Sequence, residues 1–323
     1  MARISACGCG GRDIEPTDVN IPTPTGEYTL IRCARCGRRM LDPTPSDADL
    51  AAAYDEQYYG EGESKFIGPI EAFVDYFRGA RAREAERLVS EIARAPGEPI
   101  RVLDIGCGSG QFLARMIPLG YEAHGTEYSQ DSGRRAATVN GLRLHVGPLR
   151  PDTYPAGHFD LISIWHVLEH LRDPDEALRH CRAWLRPGGF LMLAVPNVGS
   201  WQASLFRGAW FHLDPPRHLI HFDTASLRRA LESSGFRLDR VRHLSWEQNL
   251  YGYEQSALNA LGFPREQLYE LFKGNRPEAP ALSLVLQAAI AGVLILPATV
   301  LTLLEAASGR GGTIECVADI EGS

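Results

Sequence analysis

Lysine is almost missing from this 323-residue chain: Lys65 and Lys273 are the only two, and arginine supplies the rest of the 33 basic residues. That imbalance reads as genome composition. With 40 acidic residues the formal net charge is −7, so the electrostatic footprint of a nucleic-acid binder is missing and no nucleic-acid partner is expected. The amino terminus is polar and lacks the apolar run of a secretory signal, so a cytoplasmic protein is expected. Neither an internal repeat nor a low-complexity segment is visible. Cysteine is sparse beyond residue 36; four of the seven lie within the first 36 residues, which does not look like a secreted disulfide framework. The remainder is ordinary globular composition, long enough for one large domain or two modest ones.

Three regions separate along the chain. Residues 1–45 are rich in Cys, Gly, Pro and Thr and show no helical period. Pro43-Thr44-Pro45-Ser46 then punctuates a change to helix, with Ser46 or Asp47 as cap. Residues 46–98 read as a helical linker plus a helix over 70–95, with Phe73, Phe77, Ala80, Ala85 and Leu88 near one face. From residue 99 to 323 strands and helices alternate, which predicts an α/β fold with a parallel sheet and crossover helices. Strands are expected near 100–105, 121–127, 142–147, 159–166, 190–196, 237–246 and 312–320. Helices are expected near 111–119, 129–140, 174–186 and 224–235, with Pro187-Gly188-Gly189 turning the third into its strand. An apolar helical insertion fills 247–310.

The most informative run is Val102-Leu103-Asp104-Ile105-Gly106-Cys107-Gly108-Ser109-Gly110. It places an acid at the end of a buried strand and three glycines in a tight turn before a helix. Glycine there lets backbone approach a ligand closely, and a helix N-terminus offers free N–H groups. Gln111 stands where a dinucleotide fingerprint needs its third glycine, and Asp104 is foreign to that fingerprint. An ordinary strand–turn–helix with chance glycines is the bland alternative.

This run resembles motif I of class I methyltransferases that use S-adenosylmethionine. Further along, Phe159 to Leu171, Leu185-Arg186-Pro187-Gly188-Gly189, Val195-Pro196-Asn197, Pro216-Arg217-His218-Leu219 and Gly235-Phe236 are similar to the small-molecule branch. That branch includes quinone- and sugar-methylating enzymes. The resemblance covers about two-thirds of the chain in the right order. It implies a doubly wound, Rossmann-like seven-stranded sheet, mostly parallel, with an antiparallel last strand. It also implies a cofactor site from Asp104, Gly106, Cys107, Gly108, Gly110 and Phe112. Glu127 would accept from the ribose hydroxyls, Tyr128 would lie beside the adenine, and Trp165 would line the site. Tyr59, next to Tyr58, would cover the cofactor from the other side. After the third strand the family's usual acid is replaced by Gly147-Pro148-Leu149, leaving Asp152 as the substitute.

Methyl transfer from a sulfonium is an in-line displacement, so the acceptor must be aligned and lose a proton. His166, His170 and His218 are the candidate catalytic bases, with His166 and His218 leading, because imidazole titrates near working pH. Any single one could equally be a satisfied structural histidine. His221 lies in the same substrate segment, and Glu169 is expected to brace the loop. Trp201, Phe206, Trp210, Phe211 and His212 suit a sugar ring or an apolar acceptor, or a packed lid.

Cys33-Ala34-Arg35-Cys36-Gly37 has the form of a zinc knuckle, with Cys7 and Cys9 as its partner pair. Four thiolates mark a structural zinc. Such a ribbon ahead of a methyltransferase pattern resembles the sugar C-methyltransferases of deoxysugar and polysaccharide pathways. A sugar or glycan acceptor is therefore expected, with a quinone-like or lipid-linked one at a membrane surface as the alternative, and RNA disfavoured. Residues 281–304 are long enough to span a bilayer but are interrupted by Gln287, Pro297, Thr299 and Thr302. With 312–320 as the last strand a single span is excluded. A hairpin broken near Pro297 that touches the inner membrane face remains, as does a buried helix pair or homodimer contact, with packing favoured.

Overall fold

The computed structural model describes residues 3–23, 26–54, 68–92, 95, 97–275, 277 and 279–320. The chain opens with an antiparallel meander, β1 (Ile14–Thr23), β2 (Gly26–Cys33) and β3 (Arg39–Asp42). Helix α1 (Asp47–Ala53) follows, and Ser46 is its cap: the hydroxyl accepts from the Asp49 amide while the Asp49 carboxylate takes the Ser46 amide. After α2 (Gly68–Ser90) the alternation begins. Its elements are β4 (Arg101–Ile105), α3 (Leu113–Met116), β5 (Glu122–Glu127), α4 (Gln130–Ala136), β6 (Arg143–Val146), β7 (Phe159–Trp165), α5 (Pro174–Trp184) and β8 (Leu185–Pro196). Next come α6 (Trp201–Phe206), β9 (Ile220–His221), α7 (Thr224–Ser233) and β10 (Phe236–Arg242). Three helices, α8 (Trp246–Ala260), α9 (Gln267–Phe272) and α10 (Ala281–Ala307), precede the last strand, β11 (Thr313–Ile320).

The large sheet has the order β10-β11-β8-β7-β4-β5-β6, and β11 alone runs antiparallel, between β8 and β10. The seven-stranded, Rossmann-like architecture implied by the sequence is therefore present. Strand order reverses between β4 and β7, so a crevice opens beyond their carboxyl ends, where ligands bind in such sheets. Both strands are apolar on both faces because helices cover both sides; Leu103, Ile162 and Ile164 are fully buried.

Several local expectations are corrected. The helix placed at 111–119 is a single α-turn over 113–116, closed by a 3-10 turn at 117–119, because Pro118 cannot extend the ladder. The helix placed at 129–140 ends at Ala136. β8 begins at Leu185, so Pro187-Gly188-Gly189 lies within the strand, at the shift in its register against β7. The strand placed at 237–246 ends at Arg242. Residues 281–307 form one continuous helix, neither a hairpin nor a buried pair. Pro297 removes one backbone bond there, but packing of Gln287 and Ala291 on one side and Ala298, Thr302 and Glu305 on the other holds both halves.

The region 1–45 is stitched to the main domain. β9 adds to β3 as a fourth strand, and the buried Arg38 makes a bidentate ion pair with Asp175 of α5, at 2.7 and 2.9 Å. A buried ion pair of this kind fixes orientation more than it stabilises, since desolvation offsets much of the attraction.

Candidate active site

A cavity of about 1280 Å³ occupies the crevice. Ligand pockets for one drug-sized molecule run to roughly 1,000 Å³, so there is room for a cofactor and an acceptor together. Asp104, Gly106, Cys107, Gly108, Phe112, Glu127, Tyr128 and Trp165 all line it, as do His166, His170 and His218. Gly110 stands behind the turn, where a Cβ would press on Leu142 and Val139. Tyr58 and Tyr59 lie outside the described residues. Gly147, Pro148 and Leu149 line the cavity, whereas Asp152 is not among its lining residues, so it does not substitute for the missing acid.

The glycine turn owes its shape to two different constraints. Gly106 has φ +70°, and a Cβ there would sit 2.4 Å from a Val167 methyl, so the position is closed by packing. Gly108 has φ +56°, yet a Cβ there would meet nothing within 4 Å; the space beyond it belongs to the cavity. A backbone cradle of this kind fits a cofactor that approaches the main chain closely. The Glu127 carboxylate ties the turn to β5: Oε2 accepts from the Gly108 amide at 2.9 Å, and Oε1 from the amides of Tyr128 and Ser129 at 2.9 and 3.1 Å. With one amide bound, Oε2 retains a lone pair for a ribose hydroxyl. Tyr128 is 79% exposed at the rim, as a residue stacking on an adenine would be.

Asp104 is buried and its Oδ1 accepts from the Ser163 hydroxyl at 2.5 Å. Burial pushes its carboxyl up to about 7, against the lowering effects of Ser163 and Arg81, while Glu127 adds to the rise. Arg81 comes from α2, ion-pairs with Glu247, and lies over the Trp165 ring at 4.2 Å. Nothing local marks Arg81, because it lies almost three turns of helix and a loop away from any motif.

At the other end of the cavity the three histidines surround Glu169. Glu169 is buried, and among the described residues its oxygens have no hydrogen-bond donor; its near neighbours are His166 Nδ1 at 3.4 Å and His218 Nε2 at 4.0 Å. His166 follows β7 with φ +54°, a conformation that costs a non-glycine residue free energy and is maintained where the surroundings impose it. His218 donates from Nδ1 to the His212 carbonyl at 2.8 Å, and its Nε2 is 3.5 Å from Asp214. His170 Nδ1 is engaged by Tyr54 at 2.9 Å and the Arg217 carbonyl at 3.1 Å, and burial pulls its pKa down to about 4. Both contacts fall on one ring nitrogen, so Nδ1 is occupied from within the protein. His221 is buried in β9 and is not a lining residue, a correction to its placement near substrate: its strand is recruited into the small sheet.

The far side of the cavity is walled by residues from the helical insertion: Leu250, Tyr251 and Glu254 of α8, Tyr269 and Phe272 of α9, with Phe211. Of the aromatic run 201–212, only Phe211 and His212 line the cavity, while Trp210 is buried in the core under the small sheet. Burial raises the Glu254 carboxyl to about 7. None of α8 or α9 carries a motif, so their approach to the site comes from tertiary packing alone.

The four cysteines of the small sheet converge. Cys7 Sγ lies 3.6 Å from Cys36 Sγ, and Cys9 Sγ 3.6 Å from Cys33 Sγ; all four sulfurs fall within 4.8 Å of one another. Tetrahedral zinc with ~2.3 Å bonds to sulfur puts sulfurs about 3.8 Å apart, so the donor set fits. The one-residue spacing of the first pair is accommodated because Gly10, at φ +80°, turns the chain back and donates to the Cys7 carbonyl.

A family profile described as a methyltransferase domain matches residues 77–241, just over half of the chain. The ubiquinone biosynthesis O-methyltransferase of Caulobacter vibrioides is 37% identical over 111 residues, which are 32% of this chain and 44% of that protein. The protein of the same name from Bradyrhizobium diazoefficiens is 33% identical over 136 residues, covering 41% of this chain and 52% of that one. The chain thus spans about half the length of the curated relatives it matches. A candidate sarcosine dimethylglycine methyltransferase from Galdieria sulphuraria superposes with a TM-score of 0.50 at 13% identity, over 84% of this chain and 98% of that one. At that identity the likeness is one of fold.

Proposed function

Because the chain belongs to the methyltransferase-domain family, we propose that it transfers a methyl group from S-adenosylmethionine to a hydroxyl of a small, quinone-like aromatic acceptor. The carrying observation is the two-ended cavity. One end is a backbone cradle with Asp104 and Glu127; the other is an aromatic wall of Phe211, Tyr251, Tyr269 and Phe272 facing a histidine–carboxylate cluster. The packed rings of Phe211, Tyr251, Tyr269 and Phe272 suit a flat aromatic acceptor better than the expected sugar or glycan. The names of the similar curated proteins point the same way.

Bound S-adenosylmethionine would supply an electrophilic methyl group on a sulfonium that departs as a neutral thioether. The chain's own task is to align the acceptor and accept its proton. Alignment is worth roughly 7–11 kcal/mol, and a positioned base about 10²–10⁴-fold. His166 is the base in this reading. Glu169 beside Nδ1 favours the tautomer with the proton there, leaving Nε2 to take the hydroxyl proton, and the carboxylate then stabilises the imidazolium. The test is methyl transfer from labelled S-adenosylmethionine to a panel of catechols and simple nucleotide-sugars. Methylated catechol with unlabelled sugars is expected; the reverse pattern would return the acceptor to the sugar class.

The cysteine cluster is read as a structural zinc site held by Cys7, Cys9, Cys33 and Cys36. Metal analysis of the purified protein should find about one zinc per chain. Cys33→Ser should lose it and lower the melting temperature, because β3 and β9 then lose the anchor of the small sheet. A folded wild type free of metal would refute the assignment.

A further inference from the structure

We propose that the outer face of α10 docks on a lipid bilayer, with the helix lying in the plane of the membrane surface. The helix is built inside out. Its buried stripe is Gln287, Ala291, Ala298, Thr302 and Glu305. Glu305, the only charged residue among its 27, accepts from Gln202 at 2.9 Å and the Gly312 amide at 3.0 Å through Oε1, and from the Tyr253 hydroxyl at 2.9 Å through Oε2. The opposite side carries Leu282, Val285, Val293, Leu296, Val300 and Leu303, with Val293 77% and Leu296 73% exposed. A helix facing water has the reverse arrangement, apolar inward and polar outward.

The shape of the exposed face selects its occupant. At 100° per residue the exposed apolar positions, from Ile295 on one flank to Pro297 on the other, cover about 200° of the circumference, along a helix about 40 Å long. A second copy would pack one helix face, about 100° wide, and leave the flanks in water. Fluid hydrocarbon covers the whole convex sector. A transmembrane arrangement is excluded by the fold: the buried stripe rests against the domain from Gln287 to Glu305, and β11 returns the chain to the sheet. What remains is a helix half-sunk at the interface, as in monotopic proteins. Adhesion here comes from apolar area rather than charge, so it needs no anionic lipid and resists salt. Phe272 both lines the cavity and packs in the small core beneath α10, so the docking face and the aromatic wall share one helical platform.

The experiment is flotation of the full-length protein with neutral phosphatidylcholine vesicles, at low salt and at about 1 M salt. No acceptor is present, so the outcome is independent of the acceptor reading. Most of the wild type should rise with the vesicles at both salt levels. Val293→Glu/Leu296→Glu should stay at the bottom and still bind S-adenosylmethionine like the wild type, since neither residue lines the cavity. Wild-type protein that does not float would overturn the proposal, as would a double variant that floats unchanged. A wild type that stays down as a dimer, and is made monomeric by the double variant, would assign the face to a second copy instead.

Discussion

Gly108→Asn should weaken S-adenosylmethionine binding by at least about 100-fold, or about 2.7 kcal/mol, with a melting temperature close to that of the wild type. Asparagine tolerates the left-handed backbone better than other side chains, and a Cβ at this position meets no neighbour within 4 Å. The new side chain therefore does not disturb the core; it occupies the space into which the cofactor must come. Gly106→Ala is the informative contrast. Its Cβ would lie 2.4 Å from a Val167 methyl, so it should be destabilised by about 1–3 kcal/mol through overpacking. Isothermal titration of both variants, alongside thermal melts, separates a blocked ligand from a disturbed fold. Gly108→Asn that binds S-adenosylmethionine like the wild type would remove the cradle from the cofactor site. The same titration on the wild type should weaken as pH falls below about 7. Burial holds the Asp104 carboxyl at about 7, only its ionised form attracts a cationic ligand, and protonation below that value removes the attraction.

His166→Asn should lower kcat by about 10²–10⁴-fold while leaving the affinity for S-adenosylmethionine within about twofold. Asparagine again suits the backbone, which at φ +54° would strain most other replacements. The loss is expected in kcat because proton acceptance matters in the transition state and not in cofactor binding. Glu169→Gln should cost less, since the amide oxygen keeps a dipole beside Nδ1 but carries no charge to stabilise the imidazolium. If His166→Asn retains kcat within about threefold and His218→Asn does not, the base is His218, whose Nε2 stands 3.5 Å from Asp214.

Local chemistry along the chain is enough to place the sheet, the turn and the four cysteines that converge. Buried parallel strands write themselves as continuous apolar runs, glycine spacing reports a backbone constraint, and knuckle cysteines have few other uses. Each of these is a local property, so Asp104, Gly108, Glu127 and Cys33 could be picked out before any fold was known. Packing between distant segments sets the rest. Which histidine meets a buried carboxylate depends on a turn that folds His166 back onto Glu169, while His221 is drawn away into a neighbouring sheet. Arg81, Tyr251 and Tyr269 reach the cavity from helices that carry no motif. The apolar segment at 281–307 was legible as apolar, but whether Pro297 breaks it was not. A helix continues through proline when packing on both sides outweighs one lost hydrogen bond, and that balance is settled only by what the helix rests on.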